Sequence, residues 1–91
     1  MLTGKPDSAE IRQTIHRVIT EIVDRSGRPV PAFGDDDLLV ATGLASLDLA
    51  ALIARLERVW RVDPFLEAVA ITEIRTVGDL CRAYRDFIDA A

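Results

Sequence analysis

Apolar residues recur every three or four positions in three separate stretches of this chain, and nowhere do they alternate over the length of a strand. That period lines up one face of an α-helix, so the chain is predicted to be all-α. The first stripe is Ile11, Ile15, Val18, Ile19, Ile22 and Val23. It follows "DSAE", residues 7–10, in which Asp7 is placed to accept backbone N–H groups and Glu10 to reach back as a capping box. Pro6 lies just outside, and Gly27 is the expected stop. His16 sits at the edge of the stripe without a cluster of further ligand or catalytic residues, and reads as a surface histidine.

The second helix is predicted from about Ser46 to Trp60. Leu47, Ala50, Ile53, Leu56 and Trp60 are read as its inward face, widened by Leu52 and Val59, with Leu49 and Ala54 toward the other side. Asp63-Pro64 is a good N-cap and N1 pair for a short third helix. The last helix opens at "TVGD", residues 76–79, with Thr76 as cap and Asp79 at N3. Val77, Leu80, Cys81, Tyr84, Phe87 and Ile88 form its stripe. Cys81 has no adjacent His or Lys and is read as a buried structural thiol.

Residues 26–45, "SGRPVPAFGDDDLLVATGLA", are left as one long connection. Loops beyond about 12–15 residues are uncommon in compact domains and call for a reason. Val30, Phe33, Leu38, Leu39 and Leu44 are available to pin it to the helices. One reading is a crossover between two roughly parallel helices; a sharper one adds that it positions Ser46. Asp35-Asp36-Asp37 lacks the ligand spacing of a calcium loop and reads as a solvated acidic turn.

At 91 residues the chain is expected to form one domain, with residues 1–6 flexible and a core too modest for a deep active site. The net charge of −4 and the lack of a basic stripe argue against nucleic acid as a partner. No apolar run approaches the roughly 20 residues that span a bilayer, and the first ten residues lack a signal-peptide pattern. A single cysteine excludes an internal disulfide. The cytoplasm, no membrane and a monomer are the expectations.

Ser46 is open to two readings. As a nucleophile it would need a base, an orienting group and an oxyanion hole. His16 is the only histidine, and residues 43–46 do not form a G-x-S-x-G elbow, so the chain is not expected to be an enzyme. As a helix-start serine it is either a plain cap or an anchoring point for an anion, favoured there by free N–H groups and the macrodipole.

"GLASLDLAALIARLE", residues 43–57, resembles the phosphopantetheine-attachment region of acyl and peptidyl carrier proteins, usually G-[LAG]-D-S-L-[DE] followed by an amphipathic helix. Gly43, Leu44, Ser46, Leu47 and Asp48 match it, and "RTVGDL", residues 75–80, is similar to the start of that family's last helix. The order of elements fits the family over essentially the whole chain. The resemblance implies a four-helix bundle of the acyl-carrier-protein type, with three principal helices, one short one and a long first loop. It also implies that a phosphopantetheinyl transferase, using Mg2+, moves 4′-phosphopantetheine from coenzyme A to Ser46. The arm would then carry an acyl or aminoacyl thioester between a loading ligase and a condensing or acyl-transferring enzyme. On this reading Leu47 packs inward to fix the helix start, Asp48 offers charge to basic partner surfaces, and Leu49 and Arg55 are partner contacts.

Three positions depart from the family pattern. Ala45 replaces the aspartate that commonly precedes the serine, Thr42 stands where an aliphatic residue is frequent, and Arg55, Arg58 and Arg61 make the second helix far less acidic than in fatty-acid carriers. A discrete carrier with a dedicated partner set in specialised metabolism, of polyketide or nonribosomal type, is therefore expected. The alternative is an interaction module that keeps the carrier shape and is never modified.

Overall fold

The computed structural model describes residues 6–62 and 73–90. The expected short helix at Asp63-Pro64 and residues 1–5 of the segment expected to be flexible lie outside the described residues. Three α-helices are present among them: α1, Ser8–Arg25; α2, Ser46–Trp60; and α3, Val77–Ala90. The long connection contains a short 3-10 turn, Leu39–Thr42.

Helix α1 starts and stops where its sequence signals place it. Asp7 is extended, and its Oδ1 accepts the Glu10 N–H at 2.8 Å. An oxygen in that position satisfies one of the donors that a helix start leaves free, typically for about 1 kcal/mol. At the other end Gly27 takes φ +83°, a left-handed backbone suited to glycine, and its N–H reaches the Asp24 carbonyl at 3.0 Å. Ile11, Ile15, Val18, Ile19 and Val23 are buried, and α1 packs against both α2 and α3. Leu52 and Leu56 of α2 join this core with Val77, Leu80, Tyr84 and Ile88 of α3. The Trp60 and Tyr84 rings meet at 5.3 Å between centroids.

The rotation of α2 differs from the sequence reading. Leu49, Leu52, Ile53, Leu56 and Trp60 face the core, while Leu47 is 87% exposed and Ala50, Ala54 and Val59 are exposed as well. At roughly 100° per residue the buried five fall within about 100° of one another, with Leu47 on the far side. Turning the three leucines at 49, 52 and 56 inward removes more apolar area from water than a face that includes alanines, and that difference selects the rotation. Leu47 therefore does not pack inward, and Leu49 is partly buried.

The connection is fastened to the start of α3 by main-chain bonds. Leu39 N–H donates to the Arg75 carbonyl at 2.8 Å, Val77 N–H to Asp37 at 3.0 Å, and Gly78 N–H to Asp35 at 2.7 Å. The last two N–H groups belong to the first turn of α3 and have no partner within the helix. Leu39 and Leu44 turn into the core and Phe33 is partly buried, whereas Val30 and Leu38 remain exposed. Leu38 is held by its backbone, in a bridge with Thr76. Thr42 is fully buried and satisfied, its hydroxyl donating to the Leu39 carbonyl at 2.6 Å. The aspartate turn is engaged with its surroundings: Asp35 accepts from His16 Nε2 at 3.0 Å and pairs with Arg12, and Asp37 Oδ2 accepts the Gly34 N–H at 2.7 Å. His16 is consequently a half-buried anchor for the connection, stacked near Phe33.

Helix α3 carries the full capping box expected of "TVGD". Thr76 Oγ1 accepts the Asp79 N–H at 3.0 Å, and Asp79 Oδ2 accepts from Thr76 and Arg75 N–H, each at 3.1 Å. These donors, with Arg82, hold the Asp79 carboxyl below its ordinary value of 3.8. Cys81 lies half-buried in α3, and burial pushes its thiol up to about 11, consistent with a structural role.

Two outcomes follow for stability. Because Asp79 titrates below its ordinary value when folded, its contribution is complete above that value and disappears as pH falls through the lowered one. Thermal denaturation between about pH 5 and pH 2 should therefore show a shallower acid loss in Asp79→Asn than in the wild type. A Cβ at Gly78 would sit 3.0 Å from the Asp35 carbonyl oxygen, so Gly78→Ala should push the connection off α3 and destabilise by about 1–2 kcal/mol in urea unfolding.

Candidate attachment site

The approach to Ser46 is built from alternating anchored and exposed residues. The 3-10 turn ends at Gly43, whose φ of +96° lies in the left-handed region. A side chain is disfavoured there twice over, by the left-handed backbone and because a Cβ would stand 3.0 Å from Val23 Cγ1 near the end of α1. Leu44 then enters the core, Ala45 emerges to the surface, and Ser46 is the first residue of α2. Ala45, in extended conformation, is the N-cap. Ser46 thus stands one position inside the helix and is not the cap itself.

Only the N3 half of a capping box is present at this helix start, since Ala45 has no side-chain oxygen. Asp48 Oδ2 accepts the Ala45 N–H at 2.9 Å, while the Asp48 N–H that an N-cap side chain would take turns to the Ala45 carbonyl at 2.9 Å. Asp48 also pairs with Arg28, whose Nη2 lies 2.5 Å away. The Ala45 N–H first, and then the Arg28 guanidinium, hold the Asp48 carboxyl below its ordinary value of 3.8. Asp48, predicted as a charge for partners, is therefore already partnered within the chain.

The other predicted contacts are distributed around this start. Leu49 lines an open groove of about 490 Å³ with Leu39, Val40, Leu44 and Ala45. Arg55 lies farther along α2, where its Nη2 donates to Glu21 Oε1 of α1 at 2.5 Å, and this bond lowers the Glu21 carboxyl. The structure thus brings Ser46, Asp48 and Leu49 to one end of α2 and leaves Arg55 as a tie between helices. Next to the serine in α2, Leu47 is 87% exposed, and Val40 in the 3-10 turn is 76% exposed, apolar side chains that the core does not use. Farther along, Ala54, Glu57, Arg58 and Arg61 line a shallow polar groove.

Arg28 escaped the sequence reading. It is the sole cation between Arg25 and Arg55, in a segment rich in aspartate, and that isolation was the available signal. Among the described residues no group of His, Cys, Asp and Glu side chains is arranged to hold a metal ion, and no helix is long and apolar enough to cross a membrane.

No protein-family model matches the chain, and no curated protein matches its sequence. Among solved structures, the chain is similar to MacpD, an acyl carrier protein from Pseudomonas fluorescens involved in mupirocin biosynthesis, whose structure was determined in solution. The two superpose with a TM-score of 0.78 and are 42% identical, over 86% of this chain and 70% of that one. With the serine at the head of α2, the capped start of α3 and this likeness in both sequence and fold, the chain belongs to the acyl carrier protein family, whose members are carriers and not enzymes.

Proposed function

We infer that this chain is a discrete cytoplasmic carrier, a single domain over residues 1–91, and that Ser46 bears its 4′-phosphopantetheine arm. The observation that carries the reading is the position of Ser46 at N1 of the 15-residue α2, between exposed Ala45 and exposed Leu47, with Asp48 at N3 accepting the Ala45 N–H. The residues present fit the group. A phosphodiester at that position lies at the positive end of the helix dipole, and no capping bond to the Ala45 N–H has to be surrendered. When attached, the arm's terminal thiol holds an acyl or aminoacyl group as a thioester and supplies the reactive chemistry. The chain's own part is to fix where the serine stands and which surfaces can approach it.

Those surfaces belong to a phosphopantetheinyl transferase, an acyl- or aminoacyl-loading ligase, and a condensing or acyl-transferring enzyme. The outer side of α2 presents Leu47 near the serine, then Ala50, Ala51 and Ala54, then Arg58 and Arg61. Leu47 is the apolar anchor, and the two arginines favour partners with acidic patches over the basic ones that an acidic carrier would select. Leu49 and Asp48 border this surface, and Arg55 tethers it to α1. This charge pattern, together with the likeness to a carrier from mupirocin biosynthesis, supports a role in specialised metabolism.

Intact-mass measurement tests the assignment. After incubation with coenzyme A, Mg2+ and a broad-specificity transferase, the wild type should gain one phosphopantetheine and Ser46→Ala none. No gain on wild type across several transferases would favour the unmodified interaction module, and a gain on Ser46→Ala would place the arm elsewhere.

A further inference from the structure

One side chain spans the modification loop. Arg28 follows directly on the turn that ends α1, and its Nε and Nη2 donate to the Gly43 carbonyl at 3.1 and 2.8 Å. Nη2 also donates to Asp48 Oδ2 at 2.5 Å, the same oxygen that accepts the Ala45 N–H. Guanidinium donors are fixed relative to one another in a plane, so a single group holds a carbonyl three residues before Ser46 and a carboxylate two residues after it. Gly43 makes the left-handed turn into α2, and Asp48 closes the helix start. Residues 43–48 are bracketed from both ends.

A surface ion pair by itself contributes little to stability, so the consequence to look for is local order. Resting on the Ser46 reading, we propose that Arg28 is a positioning residue for modification of that serine. It keeps the backbone on either side in one shape for the transferase. By neutralising Asp48 within the chain, it also makes that carboxylate unavailable to a basic partner surface.

The test uses the full chain without its arm, comparing wild type with Arg28→Ala, Arg28→Lys and the double variant Arg28→Ala/Asp48→Asn. With coenzyme A, Mg2+ and a broad-specificity transferase, Arg28→Ala should lower kcat about tenfold, the scale of one lost charged hydrogen bond. KM for the carrier should not rise, because Asp48 is released for docking. Arg28→Lys, which keeps the charge and loses the planar fork, should recover only a small part of the loss, and the double variant should be no slower than Arg28→Ala, since both changes break the same bracket. Equal kcat in wild type and Arg28→Ala would overturn the proposal. So would a raised KM with kcat intact, which would place the guanidinium on the transferase itself.

Amide hydrogen exchange on the same proteins separates this idea from the assignment of Ser46. Exchange over residues 43–48 should be faster in Arg28→Ala, with the core of α1 and α3 unchanged. Unaltered exchange at 43–48 overturns the proposal whether or not the wild type is modified. Faster exchange in Arg28→Ala, alongside a wild type that takes up no arm, instead sinks the reading of Ser46 and leaves the bracket standing.

Discussion

The structure depends on the main-chain bonds that tie the long connection to the start of α3. A helix start leaves N–H groups without partners, and a long irregular segment leaves carbonyls in the same condition. Here each answers the other: Asp35 and Asp37 supply carbonyls to Gly78 and Val77, and Arg75 returns one to Leu39. With both ends of the need met, the connection becomes a rigid strap. It delivers Leu39 and Leu44 to the core and sets the point from which α2 begins.

The serine's position follows from that strap. Buried Leu39, Thr42 and Leu44 fix the depth of the approach, and the left-handed Gly43 fixes its direction against Val23. Ala45 brings no side-chain oxygen to cap α2; Asp48 still takes the Ala45 N–H and is itself held by Arg28.

The ends of the helices were legible because their signals are local. Asp7, Gly27, Thr76 and Asp79 act on donors and acceptors within a few residues, and each acts in the structure as its sequence position implies. The stripe of α1 was equally plain, since its residues are apolar on one side only. Helix α2 was harder, being apolar on two sides. Leu47 reads as a core residue until the angular spacing of Leu49, Leu52 and Leu56 is set against it. The partners of Asp35, Asp48 and Arg55 lay 20 or so residues away or more, beyond the reach of any local pattern.

The sequence alone determined that the chain is helical, where its described helices begin, and that Ser46 heads the second of them in the manner of a carrier protein. These are consequences of side-chain period and of caps, which act over a few residues. Only the tertiary structure decided which face of α2 is turned inward, that Leu47 is left outside beside the serine, and that Arg28 reaches across to Gly43 and Asp48. Those outcomes depend on how much apolar area each arrangement removes from water and on which distant groups the folded strap brings within hydrogen-bonding distance.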